Sequence, residues 1–191
     1  MVKNEKVSVL KLLIENKETK LTIREISIKR KINYKSAYEA IKKLEKEGNI
    51  KIEKKGNTSL CSFTNKLTNT TYVVEKERLK ETLEDKDIKI IHNELYKINK
   101  QFITLLFGSR AKKKQTKKSD IDLLIISETP EEIEEKISWI PKNLHVTSIN
   151  YEDFIEMLQT KKFNVVNEAI KNNIILTGME DYYRLIENAK R

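Results

Sequence analysis

Cysteine is almost missing from this chain of 191 residues, where Cys61 stands alone. One thiol closes no internal disulfide, so a disulfide-stapled scaffold is excluded. Histidine is nearly as scarce, with His92 and His145 only, which leaves no Cys/His set of the kind that holds zinc. Two prolines and four glycines exclude a collagen-like repeat. No apolar run approaches the roughly 20 residues that a membrane-spanning helix needs. The N-terminal stretch Met1–Lys20 is too charged and too periodic for a secretory signal, so a cytoplasmic location and no membrane partner are expected. What remains is 38% hydrophobic, 35% charged and 7% aromatic, a composition with a modest core and no signature of disorder.

The net charge of +9 is unevenly placed. Residues 1–72 hold 17 Lys/Arg against 8 Asp/Glu, and residues 73–191 hold 21 of each. The whole basic excess therefore lies in the first third, the pattern of a polyanion-binding module joined to a neutral one. A general richness in lysine raises both counts but does not place the excess on one side.

Val7, Leu10, Leu13 and Ile14 recur at helical spacing and predict a helix over residues 4–16. Thr22 with Glu25 three residues on predicts an N-cap and capping box for a short helix carrying Ile23, Ile26 and Ile28 and ending near Lys31. Asn33 suits the cap of a third helix over 34–47, closed by Gly48. Ile50 and Ile52 alternate with Lys51 and Glu53, Lys55-Gly56-Asn57 signals a turn, and Leu60, Cys61 and Phe63 form a return strand. Three helices and a basic hairpin resemble a winged helix-turn-helix domain over residues 1–65. In that family the third helix enters the major groove of double-stranded DNA. Ala37, Ala40, Ile41 and Leu44 share its inner face; Lys35, Tyr38 and Lys42 lie on the other with Glu39 and Lys46. The resemblance thus implies DNA contacts from Lys35, Tyr38 and Lys42, from Lys54, Lys55 and Asn57 at the wing tip, and from Arg30 and Lys31 to phosphate. The competing reading is a solvated lysine-rich surface.

Residues 66–100 contain neither proline nor glycine and read as a helical connector. Thr68–Thr71 is a polar break, and Val73–Asn99 reads as helix with a slip near Asp85-Lys-Asp87, either a kink or the joint of two helices. Its apolar series packs on either neighbouring domain or pairs with its twin in a homodimer.

Phe102–Phe107 is a buried-strand run followed at once by Gly108 and Ser109. Ten residues later Asp120-Ile-Asp122 opens a second apolar strand through Ile126. Glycine lets backbone N–H groups approach a phosphate, and the serine hydroxyl can bond a phosphate oxygen. Two Asp at i and i+2 on a strand share a face and suit a hard cation. Gly-Ser, ten residues and Asp-x-Asp, with Phe107, Arg110, Ala111 and Ser119 around them, resemble the minimal nucleotidyltransferases of the DNA polymerase β superfamily over residues 101–191. The resemblance implies an α+β chain ending in a small mixed-sheet nucleotidyltransferase domain. It implies Asp120 and Asp122 as catalytic ligands of Mg²⁺ or Mn²⁺, and Gly108, Ser109 and Arg110 at the triphosphate of ATP or another NTP. Lys112, Lys113, Lys114, Lys117 and Lys118 stand between the halves of the motif, to attract nucleotide or acceptor or simply to be solvated.

One departure matters. Active members of the family it resembles usually carry a third carboxylate on the next strand. Here a helix over Ile133–Ile140 follows Pro130, and the next strand, Leu144–Ile149, has no Asp or Glu; His145 or Thr147 stands at that place. Helices are expected over Tyr151–Leu158 and Phe163–Lys171, a short closing strand at Ile174–Leu176, and a last helix packed through Tyr182, Tyr183, Leu185 and Ile186.

Two functions follow. One is a DNA-binding regulator fused to a nucleotidyltransferase that passes AMP to a protein such as a HEPN-type toxin, an autoregulating antitoxin. The other is a transcriptional regulator whose degenerate second domain senses nucleotide or dimerises. Transfer to a small molecule is weaker, and RNA as acceptor stays open.

Overall fold

The computed structural model describes residues 4–112, 119–140, 143–160 and 162–189. It is an α+β chain that divides into two units, Met1–Glu77 and Arg78–Arg191, with residues 66–100 shared between them. Among the described residues no helix is long and apolar enough to cross a membrane.

In the first unit α1 (Glu5–Glu15), α2 (Ile23–Arg30) and α3 (Tyr34–Lys46) pack over a three-stranded antiparallel sheet. Its strands are β1 (Leu21–Thr22), β2 (Ile50–Lys55) and β3 (Thr58–Phe63), in the order β1-β3-β2. The capping box at Thr22 forms in full. The Glu25 N–H donates to Thr22 Oγ1 at 3.1 Å and the Thr22 N–H to Glu25 Oε2 at 2.7 Å. Asn33 caps α3 by accepting from the Ser36 N–H at 2.8 Å. Leu10, Leu13, Ile26, Ile41 and Leu44 fill the interior, each burial contributing about 1.5–3 kcal/mol. Ile28, which α2 carries as expected, is exposed, because the eight-residue helix turns only Ile23, Ile26 and Ser27 inward. Cys61 is buried on β3, and burial pushes its thiol up to about 11, so it is no nucleophile.

The expected connector is two helices, α4 (Asn69–Thr82) and α5 (Lys86–Tyr96). The threonines read as a break start α4 because they satisfy a buried amide: Asn49 Nδ2 donates to Thr68 Oγ1 at 2.5 Å and to Thr71 Oγ1 at 2.9 Å. Asp85 is the slip in the periodicity. It caps α5, accepting at Oδ1 from the Asp87 N–H at 2.9 Å.

The second unit is built on a sheet of order β6-β5-β4-β7. Strand β4 (Ile103–Phe107) runs antiparallel to β5 (Ile121–Ile126) and to β7 (Ile174–Thr177), while β6 (Leu144–Ile149) lies parallel to β5. Every residue of β4 is buried, which is why the sequence shows an unbroken apolar run there; an inner strand is covered on both faces. Edge strand β6 is mostly half-buried.

One face of the sheet presents Leu106, Ile121, Leu123 and Ile125 to Ile88, Ile91 and Leu95 of α5 and to Ile133 and Ile137 of α7 (Pro130–Ile137). Side chains alternate along a strand, so Leu105, Asp122, Leu124 and Ile126 face the other way. There α9 (Val165–Lys171) and α10 (Met179–Asn188) pack on β4, with α8 (Tyr151–Gln159) adjoining α9. The helix expected from Phe163 begins at Val165, because Asn164 caps it and leaves Phe163 exposed. Tyr182, Tyr183 and Ile186 are core residues, as expected.

Candidate nucleotide-binding site

The chain reverses directly from β4 into a four-residue helix, α6 (Gly108–Ala111). Gly108 has φ +70°, in the left-handed region that favours glycine. Asp122 lies directly across the ladder, since Phe107 pairs with Asp122. A Cβ built on Gly108 would sit 2.1 Å from Asp122 Oδ2. The glycine therefore serves two needs at once: it permits the turn, and it vacates the space that the carboxylate occupies.

Asp120 lies just before β5, and both it and Asp122 are half-buried. Burial is the first cause that raises the Asp122 carboxyl above its ordinary value; the charges of Asp120 and Glu168 add to this, and His145 opposes it. A cation beside these groups would relieve their repulsion. Hard carboxylate oxygens and the cradle at Gly108 fit a small divalent ion. Among the described residues no three Asp, Glu, His or Cys side chains form a metal site by themselves.

Glu168, on α9, joins this face without any mark in the sequence around it. Only the packing of α9 on β4 brings it to the side that Asp122 occupies. His145, not Thr147, is the residue beside Asp122: the parallel register pairs Asp122 with His145 and Leu124 with Thr147.

Arg110 is held by the protein itself. Its Nη1 pairs with Asp85 Oδ2 at 2.8 Å, and its Nη2 donates to the Ser119 carbonyl at 3.0 Å. The guanidinium thereby holds the backbone at Ser119, directly before Asp120. Asp85 has two roles, capping α5 with one oxygen and holding Arg110 with the other. Asp85→Ala is expected to destabilise the second unit by about 2–3 kcal/mol, combining a lost cap with a nearly buried, unpaired guanidinium. Asp85→Asn, which keeps the cap acceptor, should lose about half of that. Urea unfolding of the two variants measures the difference; equal losses would refute the double role.

Ser109 opens the turn of α6 and is half-buried, and Lys112, at its end, is exposed. Lys113, Lys114, Lys117 and Lys118 lie outside the described residues.

Residues 88–176 match the family model of the nucleotidyltransferase domain. The second unit carries a nucleotidyltransferase domain. The match begins inside α5 and runs to the closing strand β7, so it takes in the helix whose Ile88, Ile91 and Leu95 support the sheet under the site. No curated protein and no solved structure matches the chain.

In the first unit Lys35, Tyr38, Lys54, Lys55 and Asn57 are exposed, as are Lys31 and Lys42. Lys42 pairs with Glu45 Oε2 at 2.8 Å. Arg30 is committed inward, its Nε donating to Ser8 Oγ at 2.6 Å. The start of α3 and the hairpin border one recess, lined by Thr22, Ile23, Arg24, Tyr34, Asn57, Thr58 and Ser59.

Proposed function

We propose that the nucleotidyltransferase domain binds ATP or another NTP with Mg²⁺ or Mn²⁺ and transfers the nucleotidyl group, AMP from ATP, to a protein acceptor such as a HEPN-type toxin. The observation that carries this reading is the fit of Gly108 around the Asp122 carboxylate within the matched domain. Asp120 and Asp122 would hold the ion, which supplies charge neutralisation at the phosphates. Backbone N–H groups at Gly108 and Ser109 and the Ser109 hydroxyl would bind the triphosphate, while Arg110, tied to Asp85 and the Ser119 carbonyl, holds the backbone directly before Asp120. In the transfer an acceptor oxygen bonds to the α-phosphorus as the bond to pyrophosphate breaks, and the acceptor's proton passes to water.

Calorimetric titration with ATP and Mg²⁺ tests the reading. Binding by wild type and none by Asp120→Ala/Asp122→Ala is expected. Binding that survives the double substitution would refute it.

The first unit is read as a winged helix-turn-helix domain that binds double-stranded DNA. The order of its helices and sheet, its basic excess and the exposed Lys35, Tyr38, Lys54, Lys55 and Asn57 support this. A protein that both binds its promoter and modifies a partner would act as an autoregulating antitoxin. Lys35→Ala/Lys54→Ala/Lys55→Ala is expected to weaken duplex binding for every sequence. The slope of log K against log[salt] should flatten by about 0.9 for each phosphate that is no longer neutralised, roughly 2.7 in all. Unchanged salt dependence in fluorescence anisotropy would exclude these lysines from the interface. Lys42 must leave Glu45 to reach DNA, a small cost because the pair is exposed and screened by solvent.

A second reading is favoured by one observation: the strand beside Asp122 offers His145 where a carboxylate is expected. In it the domain binds nucleotide without transferring it and regulates DNA binding. Mass spectrometry of the partner separates the two, because only transfer leaves a covalent AMP.

A further inference from the structure

The place left without a carboxylate is not chemically blank. Leu144 and Val146 turn toward the core beneath the sheet, so His145 between them faces the opposite side, the one Asp122 faces. The parallel register puts the two residues side by side, with His145 Nδ1 3.9 Å from Asp122 Oδ1. Donor atoms bound at about 2.1 Å to one ion lie roughly 3–4 Å apart, depending on the angle between them. The His145 side chain is 74% exposed, so solvent and ligand can reach it. Among the described residues no hydrogen bond occupies its ring nitrogens.

Imidazole is a poor partner for Mg²⁺, which takes oxygen ligands, and a good one for first-row transition ions. A carboxylate at this position would have favoured the hard ion. An imidazole there tilts the preference the other way, while Asp120 and Asp122 keep oxygen donors for either.

We propose that His145 donates a ring nitrogen to the cation held by Asp122, so that this site selects Mn²⁺ over Mg²⁺. The inference rests on the nucleotidyl-transfer reading of the same site. It assigns that reading a metal and gives the strand lacking a carboxylate a positive role.

The test uses the full chain with histidine labelled by ¹⁵N, Mn²⁺ and a non-hydrolysable ATP analogue. Pulsed electron paramagnetic resonance of bound Mn²⁺ should show ¹⁵N coupling in wild type and none in His145→Ala. Calorimetry with the same analogue should give a Mn²⁺-over-Mg²⁺ preference that falls by on the order of tenfold in His145→Ala. His145→Asp should raise Mg²⁺ affinity and also lack the nitrogen coupling. Mn²⁺ binding that depends on Asp122 but shows no ¹⁵N coupling would overturn the role of His145 alone. Binding of neither ion by wild type would overturn both this inference and the reading on which it rests.

Discussion

Asp122→Asn is expected to reduce nucleotidyl transfer by about a thousandfold, equivalent to about 4 kcal/mol of transition-state stabilisation. The amide keeps the shape of the side chain and removes the charge that would hold the proposed ion. The same substitution should leave the fold more stable at neutral pH, because the native site raises this carboxyl by burial and by the charges of Asp120 and Glu168. A raised carboxyl favours its protonated form in the native state. The ionised group therefore opposes folding at pH values above its native pKa, and the effect disappears below the ordinary value of 3.8. Asp122→Asn should thus melt higher than wild type at pH 7, with the advantage fading as pH falls from the native pKa and gone once it reaches that value. Scanning calorimetry across the pH range, beside an assay of labelled AMP transfer to the partner, checks both halves. A variant that melts lower at pH 7 would contradict the electrostatic account even if activity is lost.

Gly108→Ala is expected to abolish binding of the metal–nucleotide complex, a loss of about a hundredfold or more in affinity. Two effects combine. The new methyl would stand 2.1 Å from Asp122 Oδ2 and force that carboxylate out of position. The backbone at φ +70° also adds about 1–2 kcal/mol of strain for any residue with a Cβ. Gly56 separates the two contributions. It has φ +58° in the hairpin of the first unit, but a Cβ there would meet nothing within 4 Å. Gly56→Ala should lose only the backbone contribution, about 1–2 kcal/mol of stability in the first unit, and bind Mg–ATP as wild type does. Gly108→Ala binding nucleotide normally would refute the cradle.

Much of the molecule was legible because its signals are local. The Thr22–Glu25 capping box, the Asn33 cap and the turn at Gly56 need only neighbours within a few residues. The unbroken apolar run of β4 and the first apolar series of α1 depend on period and burial alone. The pairing of Gly-Ser with Asp-x-Asp was visible for a related reason: a tight turn and a strand start leave little freedom in residue type.

Elements read less well where distant parts supply the reason. Thr68 and Thr71 look like a break until the buried Asn49 amide, far back in the chain, gives their hydroxyls a partner. Asp85 disturbs a helical pattern, and its bond to Arg110 is visible only once α5 lies beside α6. The amino-acid sequence by itself determined most of the helices and strands and the Gly-Ser and Asp-x-Asp residues of the candidate site, since propensity, capping and alternation act over a few residues. Tertiary structure alone decided which groups share the site. The parallel register of β5 and β6 chose His145 over Thr147 as the neighbour of Asp122, and the packing of α9 on β4 brought Glu168 to the same face. Such choices depend on hydrogen-bond register and helix docking between segments far apart in the chain, which no local pattern encodes.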